Sequence, residues 1–384
     1  MLNELKNGIL SYWMRNTLDA NNGGFIGRIS GDEIRYSDAP KGAILNARIL
    51  WTFSAAYRRI PNIDYLSVAT RAKNYLLQHF WDETNGGVFW QLDSAGNPVD
   101  TKKQIYAQGF AIYGLSEYAH ATGDKEALSK AVELYRLIEK YSFDTIRNGY
   151  FEAFTSEWGE IADMRLSEKD ANEKKTMNTH LHILEPYTNL FRVWPSDALK
   201  ESLRNLIELF LDRILDAESG HLHLFFDENW NNKGHVISYG HDIEASWLLY
   251  EAAVVLGDEA LLQRVIAVVP KIVEAASEGL QADGSLLYEL DETTGHVDAD
   301  RHWWVQAETV VGFWCAYKLL GNEAYKTKAE DCWQYIQNHL IDKENGEWYW
   351  SLHADGGINR ADDKAGFWKC PYHNGRMCLE LINS

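Results

Sequence analysis

Cysteine is scarce in this chain and gathered at one end: Cys315, Cys332, Cys370 and Cys378 all fall in the last 70 or so of 384 residues. A disulfide framework would spread its cysteines along the chain, so reduced thiols are expected. Positive charge is also short. Against 56 Asp and Glu stand 37 Lys and Arg, a net charge of −19, and no dense basic run offsets it. Such a surface repels phosphate backbones and anionic lipids, which excludes nucleic acid and the membrane as expected partners. No segment has about 18 uninterrupted apolar residues, and the N-terminus MLNELKNGIL lacks the basic start, apolar core and cleavage site of a secretory leader. A soluble, cytoplasmic protein is expected. A GxGxxG, a phosphate loop and a Ser nucleophile elbow are missing too, so no nucleotide cofactor is expected. Cys370, His373 and Cys378 are irregularly spaced and have no evident fourth partner, which argues against a metal.

Aromatic residues, by contrast, are plentiful: 15 Trp, 20 Tyr and 14 Phe, 13% of the chain. Flat apolar rings with polar tips pack cores, and they also stack on the C–H faces of sugars. Their distribution follows a repeat. A turn of acidic, small and Gly residues followed by an aromatic-rich strand recurs as DANNGGFIGRI, DETNGGVFWQL, DTIRNGYFEAF, DAESGHLHLFF, ADGSLLYEL and DKENGEWYWSL. The matching glycines are Gly24, Gly87, Gly149, Gly220, Gly284 and Gly346, separated by 63, 62, 71, 64 and 62 residues. Most copies continue into a second polar turn, so each reads as a short hairpin.

Between the hairpins lie two segments with helical spacing of apolar residues. In the second repeat they run from about 103 to 122 and from 125 to 143, separated by a Thr-Gly-Asp stop and cap. With one helix near residues 1 to 16 and one near 371 to 382, about 12 helices result. Helix pairs can stack as an open array or close into a ring. Six units without a polar capping repeat favour closure: an all-α (α/α)6 barrel, a six-hairpin toroid with short β-hairpins between helix pairs, in a single domain over 1–384. The helices that follow each hairpin form the inner ring.

An inner helix buries nearly all its faces, so its polar residues need partners or a function. In KGAILNARILWTFSAAY, Arg48 shares a face with Ile44, Trp51 and Ala55, and reads either as a structural ion pair or as an anion clamp. In KKTMNTHLHILEPY, Asn178 and His182 share a face while His180 points elsewhere. In ISYGHDIEASWLL, Glu244 is three residues after His241 and could hold its tautomer. Trp303, Trp304 and Glu308 begin the fifth inner helix in RHWWVQAE. In FWKCPYHNGRMCLELI, Pro371 fits a first helical turn, which places His373 where a helix N-terminus disfavours imidazolium. Counted from the repeat glycines, Arg48, Tyr106, His182, His241, Trp304 and His373 fall 24, 19, 33, 21, 20 and 27 residues downstream, in the first two turns of successive inner helices. They converge on one mouth of the ring as an acid/base site with stacking walls.

Two histidines on opposite sides of a substrate, with an arginine, suit proton abstraction next to a carbonyl and return to the other face, which yields an epimer. An inverting glycosidase would need two carboxylates instead, and Glu244 and Glu308 are available. The motifs KGAILNARILW, MNTHLHILEPYTNL, YGHDIEASWLL, RHWWVQAE and WKCPYHNGR together resemble the N-acylglucosamine 2-epimerase superfamily over the full length, and within it the cellobiose 2-epimerases. The resemblance implies an α/α barrel, ring opening before proton transfer, no required metal or cofactor, and a β-1,4-linked disaccharide substrate epimerised at its reducing end. It implies that His373 and His241 are the acid/base pair, that Arg48 steadies the enediolate, and that His182 with Asn178 binds the reducing-end sugar. Trp304 and Trp368 would stack on the rings, with Tyr106, Trp303, Glu244 and Glu308 in support. Monosaccharide epimerases and isomerases share the barrel and the histidines, and the WKxPYHNGR ending favours the disaccharide branch. Cys370 stands where that branch suggests a small residue such as Gly, and it flanks Trp368. The loop near residues 155 to 174, in the longest repeat, is expected to cover the cleft.

Overall fold

The computed structural model describes residues 1–382. A π-helical segment, Glu4–Leu10, runs into Ser11–Asn16 (α1). Five helix pairs follow: Ala43–Arg59 (α2) with Ile63–Tyr75 (α3), Ile105–Thr122 (α4) with Lys125–Tyr141 (α5), Met177–Val193 (α6) with Asp197–Leu209 (α7), Tyr239–Leu256 (α8) with Glu259–Ala276 (α9), and Trp303–Leu320 (α10) with Glu323–Tyr335 (α11). Tyr372–Leu381 (α12) ends the described chain. The Thr-Gly-Asp between α4 and α5 works as read: Gly123 takes a φ of 75°, and the Asp124 carboxylate accepts from Ala127 N at 2.9 Å. No described helix is long and apolar enough to cross a membrane.

Burial divides the helices into two sets. α2, α4, α6, α8, α10 and α12 are buried on almost every face of their first three turns, whereas α7 buries only Leu199, Leu203, Leu206, Ile207 and Leu209 along one stripe. The sequence separates them in the same way, since α7 alternates charge with leucine and α4 is apolar around its circumference. α2 packs on α4, α4 on α6, α6 on α8, α8 on α10, α10 on α12, and α12 returns to α2. Each odd-numbered helix from α3 to α11 packs on the helix before it.

The six repeat glycines all have positive φ, from 60° at Gly24 to 88° at Gly149, a conformation that side chains resist. Most of these turns are pinned by an aspartate that accepts from turn N–H groups and from a buried lysine. Asp19, Asp82, Asp144 and Asp342 take Lys41 at 2.8 Å, Lys103 at 2.7 Å, Lys175 at 2.9 Å and Lys364 at 2.5 Å. The expected local hairpins form in several copies, Arg28–Ile29 with Arg35–Tyr36, Gln91–Leu92 with Pro98–Asp100 and Glu289–Asp291 with His296–Asp298, and the strands also pair across repeats. Gln91–Leu92 pairs with Lys41–Gly42, Ala153–Phe154 with Lys103–Gln104, Phe225–Phe226 with Lys175–Thr176, and Ser351–Leu352 with Arg301–His302. Each repeat's strand therefore pairs with the segment entering the previous inner helix, and only some copies add a local third strand such as His296–Asp298 on Glu289–Asp291. Two-residue strands are too short to hold a hairpin alone, and pairing across repeats supplies partners at the helix entrance. Ile29 N donates to Ala365 O at 2.7 Å, which joins the first repeat to the last.

The fourth residue of an inner helix locks onto the strand that leaves the repeat glycine. Gln108 bonds both the N–H and the carbonyl of Val88, at 2.7 and 2.8 Å, and Gln306 does the same to Leu286, at 2.8 Å each. Asp242 accepts from Leu222 N at 2.9 Å. His180 holds this place in α6: its Nε2 accepts from Tyr150 N at 2.9 Å and its Nδ1 donates to Thr176 O at 2.6 Å. Burial brings its pKa down to about 4. Because the folded value lies below the unfolded one, stability is lost as pH falls from 6.5 toward 4. His180→Gln should fold and keep function, and in urea titrations it should lose about 2 kcal/mol less than the parent between pH 7 and 5.

Candidate active site

The inner helices present their sixth residues at one level: Arg48, Phe110, His182, Glu244 and Glu308, with Arg376 in the same place on α12 counted from its N-cap Pro371. Five of the six are polar, and all five are buried. At their centre, the Arg376 guanidinium donates from Nη2 to Glu244 Oε1 at 2.5 Å and to Glu308 Oε1 at 2.6 Å, and from Nη1 to Glu185 and Tyr372. Glu244, Glu308 and His373 offer atoms within 4.8 Å of one another. The positive charge on that set is Arg376.

Three imidazoles surround this cluster with their Nδ1 atoms held. His373 Nδ1 donates to Glu308 Oε1 at 2.7 Å, and His182 Nδ1 to Glu185 Oε2 at 3.0 Å. His241 Nδ1 shares a 2.8 Å hydrogen bond with Ser238 Oγ. The last contact corrects the expectation that Glu244 orients His241, because Arg376 takes the Glu244 carboxylate and the strand residue Ser238 reaches the ring first. His241 and His373 hold matching third places on α8 and α12, which flank α10. Trp304 of α10 touches both, with ring centroids 4.8 and 5.6 Å away.

Burial pushes His241 down to about 3 and His373 well below its ordinary range, where Arg48 and Arg376 add to the effect. His373 is thus neutral as expected, but burial rather than the helix N-terminus is the main cause, and Pro371 caps α12 instead of lying in its first turn. Burial and the Glu308 charge raise Glu244 well above the carboxylate range, and its Oε2 is buried without a partner. Burial alone would raise Glu185 as well, but Arg376 overrides it and keeps that carboxyl ionised.

Arg48 is not part of an ion pair. It meets no carboxylate: Nη2 donates to Tyr106 OH at 2.7 Å, Nη1 lies 3.5 Å from the Trp368 carbonyl, and Nε is buried without a partner. Its guanidinium stacks 4.2 Å from the Phe110 ring centroid. Cys370 is fully buried with its thiol 4.0 Å from Arg48 Nη1. Asn178 Oδ1 is another buried orphan, one turn before His182. Tyr106 stands edge-on to both His182 and Trp368. Trp368 and Trp304 keep partial exposure, whereas Trp303 is buried between Trp350 and the Lys369 ammonium. In the 155–174 loop, Lys169 and Asp170 act on Glu289, and Lys169 on His302, in the fifth repeat. A recess of about 570 Å³ lined by Ile146, Arg147, Arg213 and Trp230 contains none of these residues.

The sequence reading missed Glu185, Ser238, Tyr372 and Arg376. Glu185 and Arg376 lie three residues after His182 and His373, the same spacing as Glu244 after His241.

The N-acylglucosamine 2-epimerase (GlcNAc 2-epimerase) family model matches residues 24–375. The chain belongs to this family. It is 61% identical over 382 residues to a cellobiose 2-epimerase of Bacteroides fragilis, covering 100% of this chain and 97% of the relative. The structure of a cellobiose 2-epimerase from Bacillus thermoamylovorans superposes with a TM-score of 0.94 at 43% identity, over 100% and 97% of the two chains. A D-mannose isomerase shares the fold, with a TM-score of 0.85 at 21% identity over 97% and 94%. The chain is accordingly an isomerase of the epimerase class. Replacing Arg376 by Met should strand three carboxylates in the interior and cost about 3–5 kcal/mol in urea denaturation.

Proposed function

We propose that the chain interconverts glucose and mannose at the reducing end of a β-1,4-linked disaccharide such as cellobiose, mannobiose or lactose, by proton transfer at C2. The observation that carries this reading is the pair of imidazoles on α8 and α12, His373 buried and His241 half-buried, both held neutral by desolvation and both against Trp304, beside an arginine without a counter-charge. The likeness to cellobiose 2-epimerases supports the substrate class. The cyclic order of helix contacts supports a single (α/α)6 barrel with this site at one mouth.

The chemistry starts from the open-chain sugar. One imidazole Nε2 takes the C2 proton, the C–H electron pair forms the C1–C2 double bond, and the carbonyl pair moves onto O1 as an enediolate. Arg48, with an unfilled Nε and no carboxylate, stabilises that charge better than it does the neutral substrate, which is what lowers the barrier. The same negative charge raises the proton affinity of the neighbouring imidazoles, so the second histidine takes a proton from water and gives it to the opposite face of C2, while the first releases the proton it took to solvent. His182 and Asn178 bind the reducing-end oxygens, and Trp304 and Trp368 supply the stacking surfaces. An inverting glycosidase finds less support. Glu244 and Glu308 both bind one Arg376 nitrogen, which holds those oxygens within about 5 Å of each other, closer than that reaction's carboxylates.

Incubated with cellobiose in deuterated water, the protein should yield glucosyl-mannose with deuterium at C2 by proton NMR. Free glucose would point to a glycosidase, and turnover of free mannose or N-acetylglucosamine alone to a monosaccharide enzyme. His373→Ala and His241→Ala should each remove turnover while circular dichroism stays unchanged; normal activity in either would sink the two-base assignment. Since burial keeps both bases neutral below the ordinary imidazole value, kcat/KM should not fall between about pH 8 and about pH 6. A decline centred near pH 6.5 would mean solvent-exposed bases.

A further inference from the structure

Among the described residues, two triads of metal-ligating side chains each bring one atom per residue within 4.8 Å of the others: Glu244–Glu308–His373 and Asp298–Asp300–His302. In the first, the Arg376 guanidinium supplies the positive charge. The second lies where the fifth repeat enters α10, with Asp298 ending the strand His296–Asp298 and His302 capping the helix. Alternate residues of an extended chain face one side, so the spacing Asp-x-Asp-x-His suits three side chains converging on one point. No described Lys or Arg forms an ion pair with Asp298 or Asp300; Asp300 Oδ2 meets His353 Nδ1 at 3.2 Å. Arg301, placed between the ligands, is engaged elsewhere, its Nε donating to Ser285 Oγ at 3.1 Å and its Nη1 to the Ala299 carbonyl. The His302 ring stacks on Tyr288 at 4.0 Å and makes no hydrogen bond among the described residues. Glu289 faces Asp298 across the strand pair, and Asp362 adds to the negative field at His302. Like charges opposite one another on paired strands repel, and a cation would relieve that repulsion.

We propose that Asp298, Asp300 and His302 bind one divalent cation of the zinc or manganese class, which clamps the entrance of α10. Two carboxylate oxygens and an imidazole nitrogen are donors that such ions take, whereas calcium and magnesium favour oxygen alone. All three residues are half-buried, which leaves room for water to complete the coordination. His353 holds Asp300 from outside, as the hydrogen-bonded partners of ligating carboxylates do in metal sites. None of the three belongs to the proposed acid/base set, so the inference stands apart from the epimerase reading. The cation is structural. It ties the hairpin of the fifth repeat to the start of α10, whose entering strand Arg301–His302 pairs with Ser351–Leu352 of the last repeat. Tyr288, stacked on His302, stands edge-on to Trp304 at 6.1 Å, so occupancy stiffens the wall that carries Trp304.

Calorimetric titration of zinc chloride into protein stripped with EDTA and desalted should show a stoichiometric site with Kd of about 10 μM or tighter. Zinc should also raise the melting temperature by about 2 °C or more. Asp300→Asn and His302→Gln should each weaken that site by about tenfold or more, while Glu292→Gln, at an exposed acid in the turn of the same hairpin, should leave it within about twofold. Asp298→Asn, on the strand rather than at the helix cap, gives the same reading if His302→Gln lowers the melting temperature of the metal-free protein. Absence of a stoichiometric site in the wild type, unchanged zinc affinity in folded Asp300→Asn and Asp298→Asn, or equal weakening by Glu292→Gln would overturn the proposal.

Discussion

A guanidinium shared among three buried carboxylates is the constraint around which this structure is arranged. Arg376 binds Glu185, Glu244 and Glu308, one each from α6, α8 and α10, and itself comes from α12. A charge buried in that way is tolerated only when its partners are also fixed, and partners fixed by one centre are fixed relative to one another. Glu308 in turn holds His373, and Glu185 holds His182. The orientation of two imidazoles in the cleft is therefore set by a contact that neither of them makes.

The fold delivers these groups by counting. On α4, α6, α8 and α10 the fourth residue faces the neighbouring strand and the sixth faces the polar cluster or its aromatic wall, because two steps of a 3.6-residue helix turn the side chain through more than half a circle. The fourth places hold backbone locks such as Gln108, His180 and Gln306, while the sixth places hold the polar cluster. His180 and His182 show the consequence most plainly: they differ by two positions, and one is a strand lock while the other belongs to the site. Cross-repeat strand pairing at the helix entrances keeps the six counts in step, from Lys41–Gly42 round to the Ile29–Ala365 bridge.

Much of this was legible in the sequence because it is periodic. Glycine spacing of about 62 residues gave the repeat, the positive φ that those glycines adopt explains why they recur, and the offsets put Arg48, His182, His241 and His373 in the first two turns of successive buried helices. Pairings across the ring were not legible. Arg376 meets Glu185 across 191 residues and Glu308 meets His373 across 65, and no local pattern says which carboxylate an imidazole will find. The rule of nearest carboxylate failed for His241, where a strand serine was closer than the glutamate on its own helix. The buried lysines had a signal that went unread: Lys41, Lys103 and Lys364 follow the turn aspartates Asp19, Asp82 and Asp342 by 21 or 22 residues.

Arg48 and Arg376 occupy the same place on α2 and α12, adjacent in space, and differ only in company. Arg376 is hydrogen-bonded to three glutamates, which meet its charge. Arg48 has a phenol, a carbonyl and aromatic faces, none of which neutralises it. Holding an uncompensated guanidinium in a buried site costs stability, and stacking on Phe110 and Tyr372 offsets only part of that cost. In the proposed reaction the remainder would be returned as negative charge develops on the sugar oxygen. On the proposed reading, Arg376 fixes the scaffold and Arg48 is left free to meet the enediolate.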